Sequence, residues 1–322
     1  MSSVHAGDNP AGAFAEVEQA KPTARHASSV LREAARARRG TIGLGLGVFV
    51  LLVAAIGPFL TPEDPNAFVT APFAPPGAGH LLGGDALGRD VLSRLLAGGW
   101  QLLAIAIAAT VLGVGLGALI GVMAAFEGGR VDTLLMRTMD VVLAFPQVVF
   151  ALMLVSVVGP KVWLLIIATG ISHMPSVARV IRAAAQDVCE RDFVVYGRLI
   201  DLPRRRTLIT DVFPNLTSPL MVEAGLRLTY SILILAGLSF LGFGLQPPDA
   251  NWGAMINENR LGVVSNPWGV VAPICMLVLL TVGTNLFTDS VARVSMRSAP
   301  AGRRKASRRR LRAQPKPREV AS

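Results

Sequence analysis

Six stretches of this chain are long, apolar and almost free of charge, and no other feature limits its fold so strongly. They cover residues 42–60, 102–126, 141–158, 162–181, 216–245 and 267–287. A helix needs about 20 mostly apolar residues to cross the hydrocarbon core of a bilayer. The first two stretches contain no charged residue, and the third is broken near its start by Pro146. The fourth carries His173, Pro175 and Arg179 towards its end, and the fifth carries Glu223 and Arg227. Lipid offers no partner to backbone N–H and C=O groups, so apolar runs of this length must be helices. The expected fold is all-α, a polytopic membrane protein with six transmembrane helices.

Composition agrees with that reading and removes two competitors. The net charge of +10 and the pI near 10.8 suggest nucleic acid when taken alone. Yet 52% of the residues are hydrophobic, only 16% are charged, and the mean hydropathy is +0.52. Soluble domains carry roughly 25% charged residues. A disulfide scaffold is excluded, because only Cys189 and Cys275 exist and they lie far apart in the chain.

Lysine and arginine in the connections set the orientation. With the N-terminus in the cytoplasm, 25 of them fall inside, four fall outside, and Arg179 and Arg227 fall within spans. Both termini are therefore expected in the cytoplasm. The first apolar run follows forty residues and is too long for a cleaved signal, so it should stay as an anchor. The expected organisation is a cytoplasmic tail at 1–40, a first span at 41–61 and an outer connector at 62–100. A five-helix core at 101–292 and a basic cytoplasmic tail at 293–322 complete it. Residues 1–27 and 299–322 have the composition of disordered segments. From 293 to 322 there are eleven basic residues and one acid, so that tail alone accounts for the net +10. Its charge suits anionic lipid headgroups rather than nucleic acid.

Within the outer connector, Gly83, Gly84 and Gly88 permit tight turns, and Asp90 is placed to cap a helix from Val91. In the second span Gly113, Gly117 and Gly121 recur every fourth residue, with Gly115 nearby. Such spacing strips one helix face of side chains and lets a neighbour approach closely, which makes this span central. Asp132 is expected to cap the helix that follows the 127–131 turn, and Pro146 to kink it.

The inside segment 182–215 is too long for a hairpin turn. It reads as a helical stretch at 183–200, a break at Asp201, Leu202 and Pro203, and a second stretch at 204–213 ended by Pro214. Two short helices against the cytoplasmic face suit docking of a soluble partner; six arginines that merely enforce topology are the alternative. Glu223 and Arg227, four apart, share a helix face and can pair. We read them as a self-neutralising pair facing a wet cytoplasmic vestibule, in preference to a substrate site.

No P-loop and no H-E-x-x-H motif is present, and the four histidines are scattered. ATP hydrolysis, a metal site, a cofactor and a catalytic residue are therefore not expected in this chain.

Several blocks, in order, resemble the permease subunit of dipeptide and oligopeptide ABC importers. They are LGGDALGRDVLSR at 82–94, GGRVDTLLMR at 128–137, DVVLAFP at 140–146, LSFLGFGLQPP at 238–248, NWG at 251–253 and NLFTD at 285–289. The likeness runs from about residue 38 to 293. It implies a type I permease fold in the cell inner membrane. It also implies a second permease subunit, two cytoplasmic ATP-binding subunits and an extracytoplasmic substrate-binding protein as partners. The family's ATPase-coupling loop falls here on Val195, Tyr196, Gly197, Arg198, Asp201, Pro203 and Pro214. The chain departs from the family's E-A-A and glycine positions, which hold Val195, Tyr196, Gly197 and Asp201, and His80-Leu81 replaces a usual His-Pro. The expected function is the permease subunit of an ABC importer that moves peptides or related small solutes inward. An ion-coupled secondary transporter and a degenerate, non-transporting subunit are the other readings.

Overall fold

The computed structural model describes residues 25–298 except 78 and 201, so Asp201 and the tails at 1–24 and 299–322 lie outside the described residues. The described chain is helical, and extended backbone pairs only as isolated bridges around residues 68–90. Helix α1 is Arg25–Arg36 and α2 is Arg38–Ile56. Ala37 between them is extended, with φ −68° and ψ 136°. Residues 25–27, expected to be disordered, are thus the start of a helix.

A short outer helix, α3 (Val91–Ala97), begins at Asp90, whose carboxylate accepts from the Ser93 N–H at 2.8 Å. That is the expected cap. Helix α4 (Gly99–Glu127) follows, then α5 (Gly129–Leu143), α6 (Gln147–Val158) and α7 (Val162–Cys189). The inside segment contains α8 (Asp192–Leu199) and α9 (Arg204–Thr207). A π-turn at Leu208–Val212 and a 3-10 turn at Phe213–Leu216 lead into α10 (Thr217–Phe240). Helix α11 (Trp252–Asn259) and α12 (Trp268–Ser298) complete the order.

Five helical segments are long and apolar enough to cross a membrane: Arg38–Phe59, Val91–Glu127, Val162–Cys189, Arg204–Phe240 and Trp268–Met296. The pair α5 and α6 makes a sixth only when counted together, and the two are bent by 77° at the break containing Pro146. Helix α6 alone, with 12 residues, is about 18 Å long and too short for a full crossing.

Packing decides the count. A Cβ on Gly113 would strike the Gly170 carbonyl, one on Gly117 the Met174 carbonyl, and one on Gly121 the Ala178 carbonyl. The numbers rise together, so α4 and α7 run parallel along one glycine seam. A parallel pair obliges the chain to return between residues 127 and 162, so α5 and α6 make one crossing and the described residues make six in total. Helices α2 and α12 confirm the parity. Gly43 lies against Phe287 and Gly47 against Gly283, so they are antiparallel. Helix α1 buries Val30 and Ala34 against Val291 and Val294. Both ends of the described chain therefore lie at one end of the bundle.

Two details depart from the expectations. A Cβ on Gly115 would meet nothing within 4 Å, so that glycine is outside the seam. The fifth span ends at Phe240 and not at 245, where Gly242 turns the chain with φ 84°.

Candidate functional site

Three arrangements of side chains stand out along the bundle axis. The first is the inside segment. The expected helical stretch 183–200 is two helices, because α7 ends at Cys189 and α8 starts at Asp192. Val194 anchors α8: it is buried in one cluster with Val188, Cys189, Val212 and Leu216. The next turn faces outward, with Val195 half-exposed, Tyr196 64% exposed and Leu199 78% exposed. Gly197 is buried, and a Cβ there would lie 3.5 Å from Leu202 and 3.9 Å from Thr207. Pro203 is exposed before α9, Pro214 is partly buried within the 3-10 turn, and of Arg198 only the backbone is described.

Several arginines of this region are bound. Arg191 donates to Asn215 Oδ1 at 3.2 Å, and Arg204 to Glu127 Oε1 at 2.9 Å. Arg182 forks through Nε and Nη2 onto both oxygens of Asp132. Asp132 is therefore not the expected cap. Gly128 takes the cap position, and the carboxylate ties α5 to α7.

The second arrangement lies inside the bundle. Thr110 of α4 shares a 3.0 Å hydrogen bond with Ser231 of α10, and His173 Nε2 of α7 lies 3.0 Å from the same hydroxyl. All three are buried, so this knot joins three helices where lipid and water are both excluded. One to two turns towards the inside, Arg227 Nε donates to Glu223 Oε2 at 3.1 Å. The guanidinium also sits 5.4 Å from the Tyr230 ring centre.

The third arrangement closes the outer end. Asp85 is fully buried and accepts from the Leu87 and Arg89 N–H groups at 2.8 and 2.9 Å. Arg89 Nε donates to its other oxygen at 2.6 Å. Arg89 and Arg94 then both reach Glu258 of α11, at 2.7 and 3.1 Å. Around this four-charge core, Asn259 accepts from the Ala86 N–H, Asn266 donates to the Leu82 and Gly84 carbonyls, and the Trp252 indole donates to the Leu95 carbonyl. The glycine-rich stretch at 82–97 is thus latched to residues 252–266. Its residues are visible in the sequence, but Glu258 is 164 positions from Arg94 and no spacing rule links them.

His173 is visible in the sequence as a polar residue of the fourth apolar run, but nothing there links it to Thr110 or Ser231. The knot exists only once α4, α7 and α10 are packed.

The described residues, helical with six crossings, a glycine-sealed helix pair at the centre and an exposed helix at one end, define a polytopic membrane protein. The family comparison gives it a place: the chain belongs to the binding-protein-dependent transport system inner membrane component family, whose model matches residues 117–295. It is 38% identical to a putative peptide transport system permease protein of Brucella suis, over 81% of this chain and 88% of that one. It is 36% identical to the di/tripeptide transport system permease protein of Pseudomonas aeruginosa, over 79% of this chain and 86% of the relative. A probable D,D-dipeptide transport system permease protein of Escherichia coli is 34% identical over 76% of this chain and 82% of its own length. Among solved structures, an inward-facing methionine ABC transporter aligns with a TM-score of 0.52 at 14% identity, over 62% of this chain and 95% of that chain. That likeness concerns the fold alone.

Proposed function

We propose that this chain is the permease subunit of an ABC importer in the cell inner membrane, carrying di- or oligopeptides inward. The peptide class rests on the relatives, each a peptide transport permease by name. The observation that carries the coupling is α8. One side of this short helix is anchored by Val194, and the other presents Val195, Tyr196 and Leu199 to solvent at the end of the bundle that holds both ends of the described residues. An aromatic and aliphatic surface held on a fixed base suits a groove on a soluble partner. Two ATP-binding subunits would dock there and hydrolyse ATP, a second permease subunit would complete the path, and a binding protein would deliver substrate from outside.

Reconstitution tests this directly. The complete complex in liposomes should take up a dipeptide only when ATP and the binding protein are both supplied. Uptake by this chain with no ATPase subunit, driven by an ion gradient, would overturn the proposal.

A further inference from the structure

A neutral ion pair leaves nothing for a ligand only when the pair consumes the guanidinium. Here it does not. Arg227 meets Glu223 through Nε alone, which leaves both Nη groups outside that pair, and its side chain keeps 12% of its surface. Tyr230, on the same side of α10, is 47% exposed, and about two turns further on a Cβ on Gly237 would meet nothing within 4 Å, with Ile234 buried between them. The other side of the helix is filled, with Ile232 and Leu235 buried in the core. An arginine turned towards acyl chains is costly, so ionisable groups in spans face bundle interiors or watery cavities. The open side of α10 therefore borders a wet path.

We propose that Arg227, with Tyr230 beside it, is a transit subsite for the terminal carboxylate of a peptide. This rests on the peptide-permease reading above. The two free Nη groups offer the parallel donors that a carboxylate accepts as a fork, which an ammonium cannot supply. The Tyr230 ring centre lies 5.4 Å from the guanidinium carbon, within range of a cation–π contact. Glu223 has a role of its own. An arriving carboxylate must share the cation with this resident one, so the hold is weak. A site on a path must bind well enough to admit a solute and loosely enough to release it.

The test uses the whole complex, with both permeases, the ATPase subunits and the binding protein, in liposomes, and alanyl-alanine as probe. Arg227→Lys keeps a cation beside Glu223 but removes the fork. It should assemble normally by gel filtration, yet take up alanyl-alanine about tenfold more slowly at saturating loaded binding protein. Glu223→Gln unmasks the cation and should tighten equilibrium binding of alanyl-alanine to the detergent-solubilised complex by about tenfold. Wild-type uptake by Arg227→Lys means that lysine rescues a purely structural pair, and overturns the subsite. Unchanged probe binding by an assembled Glu223→Gln complex overturns it as well. If wild type itself moves no alanyl-alanine while ATP is hydrolysed, the peptide reading is the one that fails.

Discussion

Arg94 is completely buried at the outer end, between Asp85 and Glu258. Removing one partner from a buried network strands the charges that remain, at a cost of about 3–5 kcal/mol. Arg94→Ala should therefore lower the unfolding temperature in detergent far more than Arg260→Ala, which alters an exposed arginine of the neighbouring turn. The seam makes an equally local prediction. Gly117→Leu drives a side chain into the Met174 carbonyl and should abolish folded protein on size-exclusion chromatography, whereas Gly115→Leu enters open space and should be tolerated. The four-residue glycine period was legible because it depends on one helix alone. The latch was not, because Asp85 and Glu258 come together only through the packing of distant segments. Asp132 shows the same limit from the other side: its position in a first turn argues for a cap, and Arg182, fifty residues on, claims the carboxylate instead.

Helix α8 is the element whose surface and interior have separable roles. Tyr196→Arg replaces an exposed ring and leaves Val194 in place, so the chain should fold normally and fail to retain ATPase subunits in a pull-down. Gly197→Pro should lose them too, through the helix itself, since proline inside a helix costs about 3 kcal/mol. Wild-type retention by both variants would argue against docking at α8. The position of this element was readable from chain length and from the proline at 203. Its division at Glu190 and Arg191 was not, because residues 183–200 have helical composition throughout and the break comes where α7 leaves the bundle. The bent pair α5–α6 is similar. Pro146 announces a kink, but a 77° angle is set by what the two halves pack against.

Six crossings follow from the parallel run of α4 and α7, and labelling tests that count for the molecule as a whole. In a cysteine-free background, Arg130→Cys and Lys161→Cys flank the bent pair at exposed positions. A membrane-impermeant maleimide added to intact cells or spheroplasts should reach the second and not the first. Equal labelling of both would mean that α5 and α6 dip into the bilayer and return. The parallel seam has a mechanical consequence too. Carbonyls of α7 fill the places where α4 lacks side chains, so the two helices can slide or splay only by breaking close backbone contact along several turns. They form one strut. Helix α7, with 28 residues, is about 42 Å long, so a tilt of about 5° at its inner end displaces its outer end by about 4 Å. Its inner end is packed directly against the base of α8. A modest push on that base is therefore a lever stroke at the opposite face.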